Sequence, residues 1–561
     1  MTLIVLSHVD CLLIFQQSHQ DEDTMNNVTL TDSYFPALKD LPIKRHTIGE
    51  ALAETANYRG DNEALVEINQ DGRVGRRWTY KQLYEDSLRC AFALASRFKK
   101  GAHIVIWSPN SPEWVLMEYA AAMAGLVLVT ANPALQEKEL RYILEQSDAV
   151  GLFLVSQFRG NPMSEIAKEA TSGNDAIREI VYMTDHTALF YNPTANLSLP
   201  NIKSDHAAQI QYTSGTTGFP KGAVLSHLGL INNANFYAKR CGVKETSSWI
   251  NIMPMFHTSG CGMVTLGCLN SSCRMILTSI FDAKVIVSLI KEFAVDIILG
   301  VPTMILALLE EQEANPTDTK SLKIISCGGA NVAPEMVIRV KESFDCKFST
   351  LYGQTEYSPV ITQHYLTDTI DDICTTIGQP TSQTDVSIQS LKKNIILPVE
   401  TIGEICARGP SIMQEYYKNP DATAKTIDRD GWLHTGDLGK INARGYVTIT
   451  GRVKEMIIRG GENHFPAEIE NVLRQHDAIS DVAVVGIPDK KWGEVIAAFV
   501  RFHDRPVSSK DLKHFCRQEM SAPKTPTLWR LVDSYPLTGS GKIKKFQLRD
   551  MELAGQTIVL V

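Results

Sequence analysis

A chain of 561 residues exceeds what one hydrophobic core usually serves, so two or more domains are expected. With 44% hydrophobic and 21% charged residues it has the balance of a globular protein, not a disordered one. Its 55 Lys and Arg against 63 Asp and Glu give a formal charge of −8, which argues against a nucleic-acid partner but leaves room for one basic pocket around a small anion. Eleven cysteines without a Cys-x-x-Cys pair fit a reducing compartment, and neither a disulfide framework nor a zinc knuckle.

Residues 1–40 read as an N-terminal extension without a packed fold. Met1 to Phe15 is mostly apolar, yet no Lys or Arg precedes Lys39, and Asp21-Glu22-Asp23 follows. A secretory signal needs a basic start and a mitochondrial presequence is Arg-rich and acid-poor, so neither fits, and Met25 is an equally good start. Residues 41–451 alternate apolar runs with helical patterns, the signature of α/β layers. His103–Trp107 is a buried strand, Glu113–Ala124 a helix, and Leu126–Val129 the next strand. Val285–Phe293 (helix) leads to Asp296–Gly300 (strand), and Leu322–Ser326 is a strand ending at Cys327-Gly328-Gly329-Ala330. Two uncharged stretches imitate membrane spans. Tyr119–Gln136 is broken by Gly125 and Asn132-Pro133, and Ile250–Cys273 is rich in Gly, Ser, Asn and Pro, so no transmembrane segment is expected.

Residues 452–561 read as a smaller α+β module, joined near Gly451-Arg452-Val453-Lys454. Met456–Arg459 is a short strand before Gly460-Gly461. Pro466 opens a helix with Ile469, Val472 and Leu473 on one face, the proline in a first turn where its missing N–H costs nothing. Val482–Ile487 and Val495–Phe502 are strands, and Ser509–Met520 a helix with Leu512, Phe515 and Cys516 aligned.

Between two predicted strands, Ala207–Tyr212 and Ala223–Leu225, lies the densest donor cluster of the chain: Thr213, Ser214, Gly215, Thr216, Thr217, Gly218, Phe219, Pro220 and Lys221. Glycines let backbone N–H groups approach an anion, hydroxyls add donors, and Lys221 adds charge, which is phosphate-cradle chemistry. Gly215 and Lys221 are six apart, as in a P-loop. However, Pro220 replaces the second glycine and Gly222 stands where a magnesium-binding Ser or Thr belongs, which excludes a P-loop NTPase. Further on come Tyr352-Gly-Gln-Thr-Glu356, Gly431-Trp-Leu-His-Thr-Gly-Asp-Leu438, Gly451-Arg452 through Gly461-Glu462-Asn463, and Pro536-Leu-Thr-Gly-Ser-Gly-Lys542.

These five motifs, in this order and spacing, resemble the adenylate-forming superfamily of acyl-CoA synthetases, nonribosomal adenylation domains and luciferases, over residues 45 to 550. Lys454 to Asn463, Pro466-Ala-Glu-Ile-Glu470, Tyr416-Tyr417 and Thr355-Glu356-Tyr357-Ser358-Pro359 are most similar to medium-chain fatty-acyl-CoA ligases. The resemblance implies an α/β fold: a large N-terminal domain (41–451) of layered sheets and helices that binds ATP and the acyl group, and a small mobile α+β domain (452–561) that carries the catalytic lysine. It implies activation of a carboxylic acid by ATP as acyl-AMP, with loss of pyrophosphate, then transfer to coenzyme A. Loading of a separate carrier protein is the alternative.

The same resemblance assigns roles. Residues Thr213 to Lys221 hold the β- and γ-phosphates, Thr355 contacts the α-phosphate and Glu356 holds Mg²⁺, a hard cation that suits a carboxylate. Tyr352 stacks on the adenine against Gly329 and Ala330, Asp437 accepts from the ribose hydroxyls, and Arg452 sits at the ribose and the domain joint. Lys542 reaches between carboxylate and α-phosphate, where negative charge builds up. Lys454 is the hinge about which the small domain turns, exchanging the Lys542 face for one lining a CoA tunnel with Gly460, Gly461 and Glu462. His257 and Gly328 border the acyl substrate. His464 and Phe465 depart from the Asn-Ile-Tyr usual in close relatives, and Ile458 replaces the lysine of luciferases and aromatic-acid ligases. The expected partners are thus small molecules, in the cytoplasm or alternatively the mitochondrial matrix, and a homo-oligomer is compatible.

Overall fold

The computed structural model describes residues 28–194, 197–213, 220–329, 332–393, 395–460, 462–503, 505–537 and 543–561. Of the expected N-terminal extension, residues 1–27 lie outside these. Residues 28–40 are tied down instead, because Phe35 is fully buried and the Tyr34 hydroxyl donates to Asp385 Oδ1 at 2.9 Å. The chain is an α/β protein of two compact units, Met1–Val386 with Ala407–Leu433 and Asn442–Val447, and Ser387–Cys406 with His434–Ile441 and Thr448–Val561.

The larger unit holds two sheets. In the nine-stranded one the order is Gln379–Pro380, Val360–Gln363, Lys347–Gly353, Ile324–Gly328, Ile297–Gly300, Ser248–Asn251, Arg274–Thr278, Glu63–Ile68, Val74–Thr79. Its inner strands from Lys347–Gly353 to Glu63–Ile68 run parallel, and antiparallel strands close both edges. The seven-stranded sheet runs Glu415–Tyr416, Lys221–Ser226, Ala207–Thr213, Val127–Ala131, His103–Trp107, Ala149–Leu154, Glu179–Tyr182. Strands such as His103–Trp107 are apolar on both faces because helices cover both, as parallel sheets require.

The helix Pro112–Ala124 shows how local chemistry sets this alternation. The Ser111 hydroxyl accepts from the Trp114 N–H, Pro112 fills the first turn, and Gly125 ends the helix in the left-handed region at φ 68°. The stretch Ile250–Cys273 is core. After the strand Ser248–Asn251 it forms a π-helical segment, Ser259–Thr265, and a short helix, Leu266–Ser271, with Cys261, Met263, Val264, Leu266 and Leu269 buried. No helix among the described residues is long and apolar enough to cross a membrane.

The strands Asp385–Gln389, Gly403–Arg408, Leu433–Ile441 and Val447–Arg452, most of whose residues fall in the smaller unit, are sheet neighbours in that order. The other sheet of the smaller unit is built on the long hairpin Ile479–Asp489 and Gly493–Phe502, registered from Ile479 opposite Phe502 to Asp489 opposite Gly493. Alternate residues serve opposite faces. Val482, Val484, Ile496 and Ala498 pack with Ile469 and Leu473 of the helix Pro466–Leu473 and with Leu512 and Cys516 of Ser509–Glu519. Ala483, Val485, Ala497 and Phe499 pack with Leu548 of the helix Lys545–Leu553.

Candidate functional site

In the larger unit the strands Ala207–Thr213 and Lys221–Ser226 are antiparallel, and Thr213 opposite Lys221 is their last registered pair. The predicted cradle therefore hangs from the end of a hairpin. Ser214, Gly215, Thr216, Thr217, Gly218 and Phe219 lie outside the described residues, and the two ends of the loop are fixed. Pro220 O accepts from the Tyr142 hydroxyl at 2.9 Å, and the Thr213 hydroxyl faces Lys221 O at 3.5 Å.

The strand Glu415–Tyr416 adds to the outer edge of this hairpin, with Tyr416 opposite Ala223. That pairing brings the Tyr416 ring to 4.8 Å from the Lys221 ammonium, a cation–π distance. The Tyr416 hydroxyl donates to Glu356 Oε1 at 2.6 Å. Glu356 sits in the 3-10 turn Thr355–Tyr357, is only 8% exposed, and is held by its own carbonyl, which accepts from the Met413 N–H at 2.8 Å. Burial and then the neighbouring carboxylate push the Tyr416 hydroxyl far up, so it remains a donor. Lys221 and Glu356, 135 positions apart in the chain, thus share one tyrosine. Sequence reasoning missed this role: Tyr416 stood out only for the wording of its motif.

Tyr352 and the glycines lie at the carboxyl ends of two adjacent parallel strands, with Gly328 opposite Leu351, so Gly329 and Tyr352 follow that pair on neighbouring strands. Ligands of open α/β sheets bind at such strand ends. Gly329 adopts φ 83°, a conformation glycine takes freely. Gly353 is required by close approach, since a Cβ there would fall 1.9 Å from Pro359 O. Ala330 lies outside the described residues. His257 is exposed just before the π-helical segment, and its Nδ1 accepts from the Ser259 N–H at 3.2 Å and lies 3.0 Å from the Ser259 hydroxyl.

In the smaller unit Asp437 is buried and paired with Arg452, Oδ1 to Nε 2.9 Å. The segment carrying Asp437 is strapped by Glu404, whose Oε1 accepts from the Gly436 N–H at 3.0 Å and whose Oε2 lies 2.9 Å from His434 Nδ1. Cys406 Sγ is 3.5 Å from the same nitrogen. With both Glu404 oxygens engaged, this cluster reads as a brace for Asp437. Lys454 is exposed in the turn Val453–Glu455. Gly460, at φ 61°, donates its N–H to Trp492 O at 2.8 Å, and Glu462 is exposed on the short strand Glu462–His464. Gly461 and Lys542 lie outside the described residues, and the segment holding Lys542 is bounded by a bridge between Leu537 and Ile543.

Lys545 escaped sequence reasoning, and His464 stood out there only as a departure from the wording usual in close relatives. Lys545 makes ion pairs with Glu455 Oε2 at 2.9 Å and Glu470 Oε1 at 2.8 Å. His464 is 3% exposed, and neither ring nitrogen has a hydrogen-bond partner among the described residues; burial lowers its affinity for a proton. The ten described cysteines are all free, and burial pushes Cys90, Cys241, Cys327, Cys346 and Cys516 up to about 12, which leaves them inert thiols.

A family model described as AMP-binding enzyme matches residues 52–417, and one described as AMP-binding enzyme C-terminal domain matches residues 468–542. A Bacillus subtilis (strain 168) protein provisionally named as the acyl-CoA synthetase YngI is 35% identical over 534 residues, 90% of this chain and 96% of that protein. The human medium-chain acyl-CoA ligase ACSF2, mitochondrial, is 32% identical over 556 residues, 92% and 89% of the two chains. Among solved structures, the o-succinylbenzoate CoA synthetase MenE of Bacillus subtilis with its acyl-adenylate intermediate OSB-AMP matches with a TM-score of 0.79 at 26% identity, covering 90% of this chain and 99% of that one. The same enzyme in complex with ATP and a magnesium ion matches with a TM-score of 0.77, again at 26% identity and covering 90% of this chain.

Proposed function

The chain belongs to the family of AMP-binding enzymes and is an AMP-forming acyl-CoA synthetase, and on that premise we propose that it activates a medium-chain fatty acid with ATP and passes the acyl group to coenzyme A. The carboxylate oxygen attacks the α-phosphorus as the bond to pyrophosphate breaks. The CoA sulfur then attacks the acyl carbonyl, and AMP leaves. Chain length rests on the likeness to the human medium-chain ligase.

One observation carries the reading: Lys221, Tyr416 and Glu356 form a single constellation at the foot of a loop rich in Gly, Ser and Thr. Lys221 supplies positive charge and the loop amides supply donors for the β- and γ-phosphates. Tyr416 occupies Glu356 Oε1 and leaves the other oxygen without a partner among the described residues, a donor set that fits Mg²⁺. When bound, the ion offsets charge on the phosphate oxygens. Thr355, the residue before Glu356 in the same turn, would contact the α-phosphate. Gly329, Ala330 and Tyr352 offer two walls for a flat base, and Asp437 with Arg452 a polar grip for the ribose.

In this reading residues 41–451 bind ATP and acid, and residues 452–561 form the mobile domain that turns at Lys454. It brings Lys542 to the α-phosphate for the first step, and Gly460, Gly461 and Glu462 to the CoA tunnel for the second. The separate family-model matches for the two parts support that division. In the same reading His257 and Gly328 border the acyl substrate. The compartment is proposed as the cytoplasm, with the mitochondrial matrix, named for the human relative, as the alternative that localisation of a tagged chain decides.

The test is an initial-rate screen of short- to long-chain acids with ATP, Mg²⁺ and CoA, following both AMP and acyl-CoA. Medium-chain acids are expected to be fastest, with AMP release dependent on CoA. AMP release that ignores CoA and needs a carrier protein establishes the carrier-loading alternative.

A further inference from the structure

The turn Val453–Glu455 lies a few residues inside the continuous part of the smaller unit, Thr448–Val561, and its last residue is not loose. The Glu455 carboxylate meets the Lys545 ammonium at 2.9 Å, and the same ammonium meets Glu470 at 2.8 Å. Lys545 is the first residue of the helix Lys545–Leu553, whose Leu548 is fully buried against Ala483, Val485 and Phe499. Glu470 belongs to the helix Pro466–Leu473 and is itself pinned, because its Oε1 accepts from the Val484 N–H at 2.7 Å. Arg474 approaches its other oxygen at 4.0 Å. One largely buried ammonium therefore fastens the turn to two helices and, through Glu470, to the long hairpin. Burial works against its charge, and Glu470 and Glu455 outweigh that, holding Lys545 protonated.

We propose that Lys545 and Glu455 form a positioning clasp that confines rotation of the small domain to Lys454. The inference rests on the reading of Lys454 as the hinge. Glu455 is the next residue after it. With Glu455 fastened, a change in the backbone dihedrals of Lys454 swings everything from Glu455 onward as one body. With Glu455 released, the same change dissipates in the short segment 455–456 before the strand Ile457–Arg459 begins. A hinge needs a stiff part on its far side as much as a soft residue at its centre. Two like-charged carboxylates on one lysine are costly to bury, and the arrangement is understandable if the second carboxylate, Glu455, serves the pivot while Glu470 serves the core.

The experiment separates the half-reactions in the full-length enzyme. Glu455→Ala removes only the turn's side of the clasp and keeps the Lys545–Glu470 pair, so the small domain retains its internal anchor. ATP–pyrophosphate exchange, which needs no rotation, is expected to stay within about threefold, whereas thioester formation from supplied acyl-adenylate falls about tenfold, the scale of losing one charge-assisted hydrogen bond. Lys545→Arg keeps both ion pairs and both activities, and Glu455→Gln falls between. A parallel drop in both half-reactions of Glu455→Ala, or no drop in either, overturns the clasp. Lys454→Pro, whose ring locks φ, serves as the control for the underlying reading. If Lys454→Pro blocks thioester formation and Glu455→Ala does not, the clasp is wrong and the hinge stands. If Lys454→Pro forms thioester normally, the hinge is wrong and the clasp falls with it.

Discussion

Replacing Tyr416 with phenylalanine tests the constellation at the foot of the loop. The change removes one oxygen and leaves the ring, so the 4.8 Å contact with Lys221 persists while the 2.6 Å hydrogen bond to Glu356 is lost. Tyr416 and Glu356 are 6% and 8% exposed, so water cannot readily replace the missing donor. A hydrogen bond to a charged group contributes about 1.5–3 kcal/mol, which at about 1.4 kcal/mol per decade is roughly ten- to 150-fold. If Glu356 holds the cation, Tyr416→Phe lowers ATP–pyrophosphate exchange by that factor and moves its half-maximal Mg²⁺ upward. Thioester formation from supplied acyl-adenylate, which needs no pyrophosphate chemistry, changes little. The assay is exchange rate against Mg²⁺ concentration, with thermal unfolding as a control for folding. An unchanged Mg²⁺ profile in Tyr416→Phe, alongside collapse in Glu356→Gln, refutes the idea that Tyr416 sets the carboxylate for the ion.

Other outcomes follow from the same geometry. Lys542→Ala lowers adenylation by about 10² or more, the scale of one lost transition-state charge contact, and spares CoA transfer from acyl-adenylate; equal loss in both steps contradicts its role. His227 and His364 are held neutral by burial, each lowered from 6.5 to about 4. Their folded-state affinity for protons is depressed, so the larger unit keeps its full stability above pH 6.5 and loses about 3 kcal/mol per histidine as pH falls to about 4, read by denaturant unfolding across that range. His464→Ile relieves a buried imidazole without hydrogen-bond partners among the described residues and raises the melting temperature of the smaller unit, by about 1–3 kcal/mol of stability; a lower melting temperature shows that the ring is satisfied in solution.

Much of the fold was legible because the chain punctuates itself. The helix expected at Glu113–Ala124 and ended by Gly125 is found at Pro112–Ala124, one residue longer because Ser111 caps it and Pro112 fills its first turn. The strand expected at Leu322–Ser326 lies two residues later, at Ile324–Gly328. Its limits come from pairing with Ile297–Gly300 and Lys347–Gly353, a register that no local pattern contains. The segment Ile250–Cys273 was recognisable as no membrane span from its Gly, Ser and Asn. That it would wind into a π-helical turn was not, since such turns answer to packing around them.

The site divides along the same line. Residue types that carry chemistry advertise themselves: a lysine after a run of glycines and hydroxyls, an acid after a threonine, an aspartate after Thr-Gly. What holds them does not. Tyr416 joins Lys221 to Glu356 only because a two-residue strand docks on the hairpin edge, and Lys545 reaches Glu455 and Glu470 only because three separate segments converge. In sequence Lys545 is the third basic residue of Lys542-Ile-Lys-Lys545, which reads as a solvated run. An exposed lysine and a paired, largely buried one have the same one-letter code, and the difference, a pair of carboxylates 75 and 90 positions upstream, exists only after folding. Positioning groups are therefore the part of an enzyme that motif reading misses by construction, and half-reaction kinetics on Tyr416 and Glu455 variants ask whether those unseen partners govern the rates of the residues that the motifs display.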